Sequence, residues 1–282
     1  MIIKRKRARA IFTVMLERYH KKELPFFEVG AGLPQDYAPQ SLVKEPAALA
    51  RYYFFLCLYM RGGIDSVTAA ERLTRAYNEH PWLFDERVLL HSVEEVQTIL
   101  ASYIALFKNR IGGFWMHNAT VLWRYWGGDP RRLFTEVRNP HEVYYRLRGS
   151  RYRPKITKSL KEVISFLPPL LAGAVHYHGV YPGFIGFKEK MTSMLAYFLF
   201  QAGLVLREPP LSAPVDFHHL RIYVQTGMIA VGERERVRYE HLKDAGILLA
   251  QYLQQHFKLT LHEYGDIVWL WSRDLCSRAP HN

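Results

Sequence analysis

The chain has 282 residues, 49% hydrophobic, 14% aromatic and 23% charged, which supports a large folded core in one domain or two joined lobes and excludes disorder. Its 38 Lys and Arg against 26 Asp and Glu leave a formal charge of +12, a field suited to nucleic acid or an anionic membrane surface without choosing between them. No apolar run reaches the ~18 residues of a spanning helix, the basic start MIIKRKRARA lacks the apolar centre of an export signal, and Cys57 and Cys276 are too few for a disulfide framework or an all-cysteine metal site.

In chain order, Lys4 to Lys22 begins basic and then spaces Ile11, Val14, Met15 and Tyr19 along one helical face. Its cations read as a phosphate contact or, more simply, as a solvated face. Leu24 to Pro39 is rich in Pro and Gly and reads as irregular. A helix is predicted from Pro46, tolerated in a first turn, to the Gly62-Gly63 stop, and Asp65 caps the next as far as Asn78. Ser92 to Lys108 places Val96, Ile99, Leu100, Tyr103 and Leu106 on one side. Gly112-Gly113 then break the pattern, and Asn118 caps a helix through Val121, Leu122, Tyr125 and Trp126.

After the Gly127 to Pro130 turn, short helices are expected over Arg131 to Val137 and Asn139 to Arg148. Arg146, Arg148, Arg151, Arg153, Lys155, Lys158 and Lys161 follow one another with no acidic residue between, a belt that suits a phosphate backbone or a solvated surface. Ile156 to Phe166, Leu170 to Val175, Asp216 to Met228, Arg236 to Phe257 and Thr260 to Cys276 complete about eleven helical segments. No stretch alternates with period two, so the fold class is all-α.

Tyr181 to Arg221 is where chemistry gathers. Pro182-Gly183-Phe184-Ile185-Gly186 makes a glycine turn that opens into a helix, an arrangement whose exposed amides bind phosphate. Lys190 sits in the first turns of that helix, beside an apolar stripe of Met191, Met194, Leu195, Phe198 and Leu199, and its amine is a candidate nucleophile. Lys188 and Lys190 read equally as phosphate or solvent contacts, and Asp216, after Pro214-Val215, reads equally as a helix N-cap. His176, His178, His218 and His219 have no recognised metal spacing, and no metal site is expected.

Together, Pro182-Gly183 with Gly186, Lys190-Met191-Thr192-Ser193 and Pro214-Val215-Asp216-Phe217-His218 resemble the helix-hairpin-helix DNA glycosylase superfamily. The resemblance spans Ser92 to Cys276, and its Lys-Met pair and long Pro-rich return loop look most like the archaeal 8-oxoguanine glycosylase branch. PGFIG carries one residue more than the family hairpin, and the path from Lys190 to Asp216 is longer than in the endonuclease III branch, which keeps Lys188 as an alternative nucleophile.

The resemblance implies a two-lobed helix-hairpin-helix glycosylase fold, with residues 112–205 as the central lobe, 1–111 plus 206–282 as the other, and the active site at their junction. It implies a duplex DNA partner carrying a damaged or modified base, which is flipped out before its N-glycosidic bond is cut. Asp216 would stabilise positive charge on the sugar or activate the attacking group. Lys190 would form a Schiff base and permit strand cleavage, and without it water would attack.

Gly183, Gly186 and Lys188 would hold the DNA backbone. Asn118, with His117 and Trp115, would plug the vacated stack, and Trp271 and His218 would border the base pocket. VWLWSRDLC resembles the helix before the iron-sulfur loop of some members, but Cys276 alone cannot hold a four-cysteine cluster, so no cofactor is expected. A cytoplasmic or nucleoid-associated monomer is expected. The alternative is a helix-hairpin-helix protein that binds DNA without chemistry.

Overall fold

The structure, a computed structural model, describes residues 1–23, 34–60, 65–103, 109–151, 181–209, 211, 213–232 and 236–272. Among these residues are ten α-helices. They are α1 (Arg5–His20), α2 (Pro46–Tyr59), α3 (Ser66–Glu79), α4 (Val93–Tyr103), α5 (Ile111–Trp126), α6 (Pro140–Arg148), α7 (Glu189–Gln201), α8 (Phe217–Gln225), α9 (Tyr239–Phe257) and α10 (Leu261–Trp271). One antiparallel pair, β1 (Ile2–Ile3) with β2 (Ile229–Ala230), sets Ile2 opposite Ala230 and Ile3 opposite Ile229. The all-α expectation is borne out. The helices expected over Ile156 to Phe166 and Leu170 to Val175, the cations Arg153, Lys155, Lys158 and Lys161, and His176, His178 and Cys276 lie outside the described residues.

The chain divides into two compact units, Met1–Gly32 with Leu211–Asn282, and Leu33–Pro210. The division anticipated from the sequence set 1–111 beside the C-terminal segment. Residues 33–111 instead group with 112–210, and the reason is α2. Its residues 52–59 are all buried, so it has no polar face and must be wrapped by its neighbours, which are α3, α7 and short 3-10 turns. Phe54 stacks on Phe187 with ring centres 4.9 Å apart, and Phe55 on Trp115 at 4.1 Å. Each such ring contributes roughly 1.5–3 kcal/mol by burial.

Local signals set most helix starts. Asp65 caps α3 by accepting from Thr68 N at 2.9 Å, and Asn139 caps α6 by accepting from Glu142 N at 3.1 Å. Gly127, at φ +60°, closes α5 in the left-handed conformation. Gly112-Gly113 do not break the chain. They lie in the first turn of α5, and a Cβ at Gly112 would stand 2.7 Å from Gln97 Cβ and Val93 O, so α4 and α5 can approach only with glycine there. Arg131 to Val137, expected as a helix, holds a 3-10 turn over Pro130–Leu133.

The unit built from both ends of the chain packs α1, α8, α9 and α10 around Phe12, which lies parallel to Tyr264 at 5.2 Å. A Cβ at Gly246 of α9 would fall 2.5 Å from Leu220 Cδ2 of α8; this glycine sets how closely the two helices meet. Arg7 Nε donates to Thr226 O at 2.6 Å and Lys4 N to Met228 O at 2.8 Å, tying the start of α1 to the segment after α8.

Candidate functional site

Two groups of residues carry the candidate chemistry, one in each unit. The first is the turn from Tyr181 to Gly186, which α5 and α6 hold almost residue by residue. Tyr181 Oη donates to Arg146 O and accepts from Trp126 Nε1, both at 2.8 Å. Phe184 N donates to Leu147 O at 2.7 Å, and His117 Nε2 donates to Gly183 O at 2.9 Å. The Asn118 amide takes both sides of Ile185, donating through Nδ2 to its carbonyl at 2.9 Å and accepting its N–H through Oδ1 at 2.7 Å. Phe184 and Phe187 are buried against Phe54.

Glycine is required at the turn by contact as well as by conformation. Gly183 has φ +60°, and a Cβ there would lie 2.2 Å from the backbone carbon of Arg148. Gly149, at φ +55°, has the reciprocal constraint, its Cβ position falling 2.2 Å from Tyr181 O. The end of α6 and the start of the turn therefore touch backbone to backbone.

This packing reassigns several residues predicted from the sequence. Gly183 faces α6 and its carbonyl is taken, so its place is structural. The amides of Phe184 and Ile185 are also engaged. Among the described residues, those of Gly186 and Phe187 make no hydrogen bond, and they lead into Lys188, the exposed N-cap residue of α7. Glu189 pairs with Arg148 at 3.1 Å. Arg151 lies close by, its guanidinium lowered from its ordinary pKa by burial first and then by Arg148. Cations thus gather at the start of α7, with Lys190 half-buried in its first turn.

Trp115, His117 and Asn118 do not precede a helix; they lie within α5. Trp115 is fully buried and donates to Leu83 O at 2.8 Å, which makes it a core residue, and Asn118 is fully buried as the clamp on Ile185. The sequence did hold a signal for Asn118: it interrupts the buried stripe of Trp115, Ala119 and Leu122, and a polar side chain on such a stripe must find a partner.

The second group is the start of α8. Asp216 is its N-cap, and the Oδ1 atom accepts from His218 N at 2.9 Å, His219 N at 3.3 Å and His219 Nδ1 at 3.0 Å. The Asp216 side chain is 12% exposed and that of His219 2%. The His219 ring lies parallel to Tyr264 and edge-on to Tyr223, and the hydroxyls of those tyrosines bond each other at 2.5 Å. Burial pushes both tyrosine pKa values well above the ordinary value.

His218 turns the other way, its Nδ1 3.3 Å from Ser272 Oγ. Serine, histidine and aspartate are thus near one another without forming a relay, because different histidines bond Ser272 and Asp216. Trp271 is half-buried under the Arg18 guanidinium, 5.9 Å above its ring. Sequence reasoning missed His219. As the third helical residue it can return to the cap, as Glu263 does to Thr260 in α10, and that spacing was the available signal.

Among the described residues, no group of three or more His, Cys, Asp or Glu could hold a metal ion, and no helix is long and apolar enough to cross a membrane. No protein family, curated protein or solved structure matches the chain.

Proposed function

We propose that this chain is a DNA glycosylase that releases a damaged or modified base from a flipped nucleotide. The observation that carries the reading is the Asp216 carboxylate, little exposed and fixed by two backbone amides and an imidazole at a helix start. A carboxylate held in place before reaction stabilises positive charge developing on a deoxyribose without reorganising. The C1′–N bond breaks with its electrons leaving on the base, and water attacks C1′ after losing a proton to Asp216. If Lys190 attacks instead, the resulting Schiff base permits strand cleavage.

The turn at Gly186 and Phe187, followed by exposed Lys188, supports contact with one strand's phosphates. Single-turnover incubation with duplexes that each carry one lesion, oxidised purines included, tests the reading when borohydride is added to trap adducts. Release of one base by the wild type, lost in Asp216→Asn with DNA affinity retained, is the expected result. An adduct lost in Lys190→Gln and kept in Lys188→Gln assigns the nucleophile to Lys190. Binding without release from any duplex supports the competing reading of a non-catalytic DNA-binding protein, in which Asp216 is only a cap.

A further inference from the structure

We infer that His219 is a positioning residue that fixes the Asp216 carboxylate, and that the two act as a pair; the catalytic consequence rests on the glycosylase reading. Other aspartate caps in the chain provide the contrast. Asp85 and Asp129 each bond the amide and guanidinium of an arginine two residues on, and Asp65 accepts from Thr68 N. Asp216 instead takes three donors on the single atom Oδ1, one of them the ring of a side chain that is itself 2% exposed.

The 3.0 Å contact between His219 Nδ1 and Asp216 Oδ1 decides where the proton sits. With a proton only on Nε2, two lone pairs would face each other across that distance. The proton is therefore on Nδ1, and the ring is a donor to the carboxylate. Nε2 is left buried with no hydrogen-bond partner among the described residues. The nearby hydroxyls of Tyr223 and Tyr264 bond each other and make no hydrogen bond to it.

A leucine would fill this site without stranding a polar atom, so packing alone does not account for a histidine. What the ring adds is a third donor on Oδ1. That oxygen is then saturated and the carboxylate rotation fixed, so any further demand on Asp216 falls on Oδ2. A loosely held carboxylate would sample other orientations, and misplacement by about 1 Å costs on the order of 100-fold in rate.

Two substitutions and a spectrum test this. His219→Asn keeps a nitrogen donor near the Nδ1 position, whereas His219→Leu keeps bulk and removes the donor. Expected for His219→Leu is single-turnover base release slowed roughly 10- to 100-fold with lesion-DNA affinity unchanged, and for His219→Asn most of the rate restored. Nitrogen-15 spectra of the wild type should show a His219 ring protonated at Nδ1, a preference lost in Asp216→Ala, which removes the acceptor.

Wild-type release by His219→Leu overturns the proposal, as does a folded His219→Asn no faster than His219→Leu, or a ring proton found on Nε2. If the wild type releases no base from any duplex, the glycosylase reading fails and the catalytic consequence with it. The hydrogen-bonded pair is then judged on the spectrum, which needs no activity.

Discussion

Asn118 holds Ile185 by both of its backbone groups, at 2.9 Å from Nδ2 to the carbonyl and 2.7 Å from the amide to Oδ1. The clamp joins the middle of α5 to the turn before α7 through a side chain with no solvent exposure. Asn118→Ala removes two hydrogen bonds and leaves a donor and an acceptor of Ile185 unpaired, at a cost of about 2–4 kcal/mol. Asn118→Asp keeps one bond but sets a buried carboxylate oxygen against a carbonyl, and should cost more. Urea denaturation of the three proteins measures the order, and equal midpoints would dismiss the clamp.

Glycine positions should separate sharply. Gly183→Ala meets the Arg148 backbone at 2.2 Å and a φ of +60°, and should destabilise the protein by more than about 3 kcal/mol or prevent folding. Gly113→Ala meets nothing within 4 Å in the first turn of α5, and should stabilise it by about 0.5–1 kcal/mol. Thermal melts of the two variants decide whether contact or mere residue type matters.

Lys188 is the exposed cation next to the uncommitted amides of Gly186 and Phe187. Lys188→Ala should weaken DNA binding across sequences and reduce the slope of log affinity against log salt by about 1. An unchanged slope would move the phosphate contact elsewhere.

Alkaline pH should unfold the protein cooperatively. Burial first, and nearby carboxylates second, push the Tyr19 and Tyr53 pKa values up to about 12, and burial drives Tyr52, Tyr59, Tyr181, Tyr223 and Tyr264 higher still. A folded-state pKa above the unfolded value of about 10 gives stability that is complete below that pH and lost as pH rises toward the folded value. Helicity and tyrosinate absorbance should therefore change together between pH ~10 and ~12. A rise in tyrosinate with helicity intact would show that these rings ionise in the folded state.

Much of this chain is legible residue by residue. Pro46 at the start of α2, the caps Asp65, Asn139 and Asp216, and the stop at Gly127 are local signals acting within a turn of the helix, where sequence neighbours are also spatial neighbours. The helical periodicity and the +12 charge are of the same kind. Tertiary structure decided which neighbours each residue would meet. Gly112 looks like a breaker until Gln97 arrives beside it, Asn118 looks like a cap until Ile185 closes on it, and Trp115 looks available to plug a vacated stack until Phe55 covers it. Asp216 reads as a cap from sequence, but only the packing of α8 against α10 encloses the His219 ring between Asp216 and Tyr264. Close packing and buried polar atoms make such partners obligatory, and they lie too far along the chain for local spacing to name them.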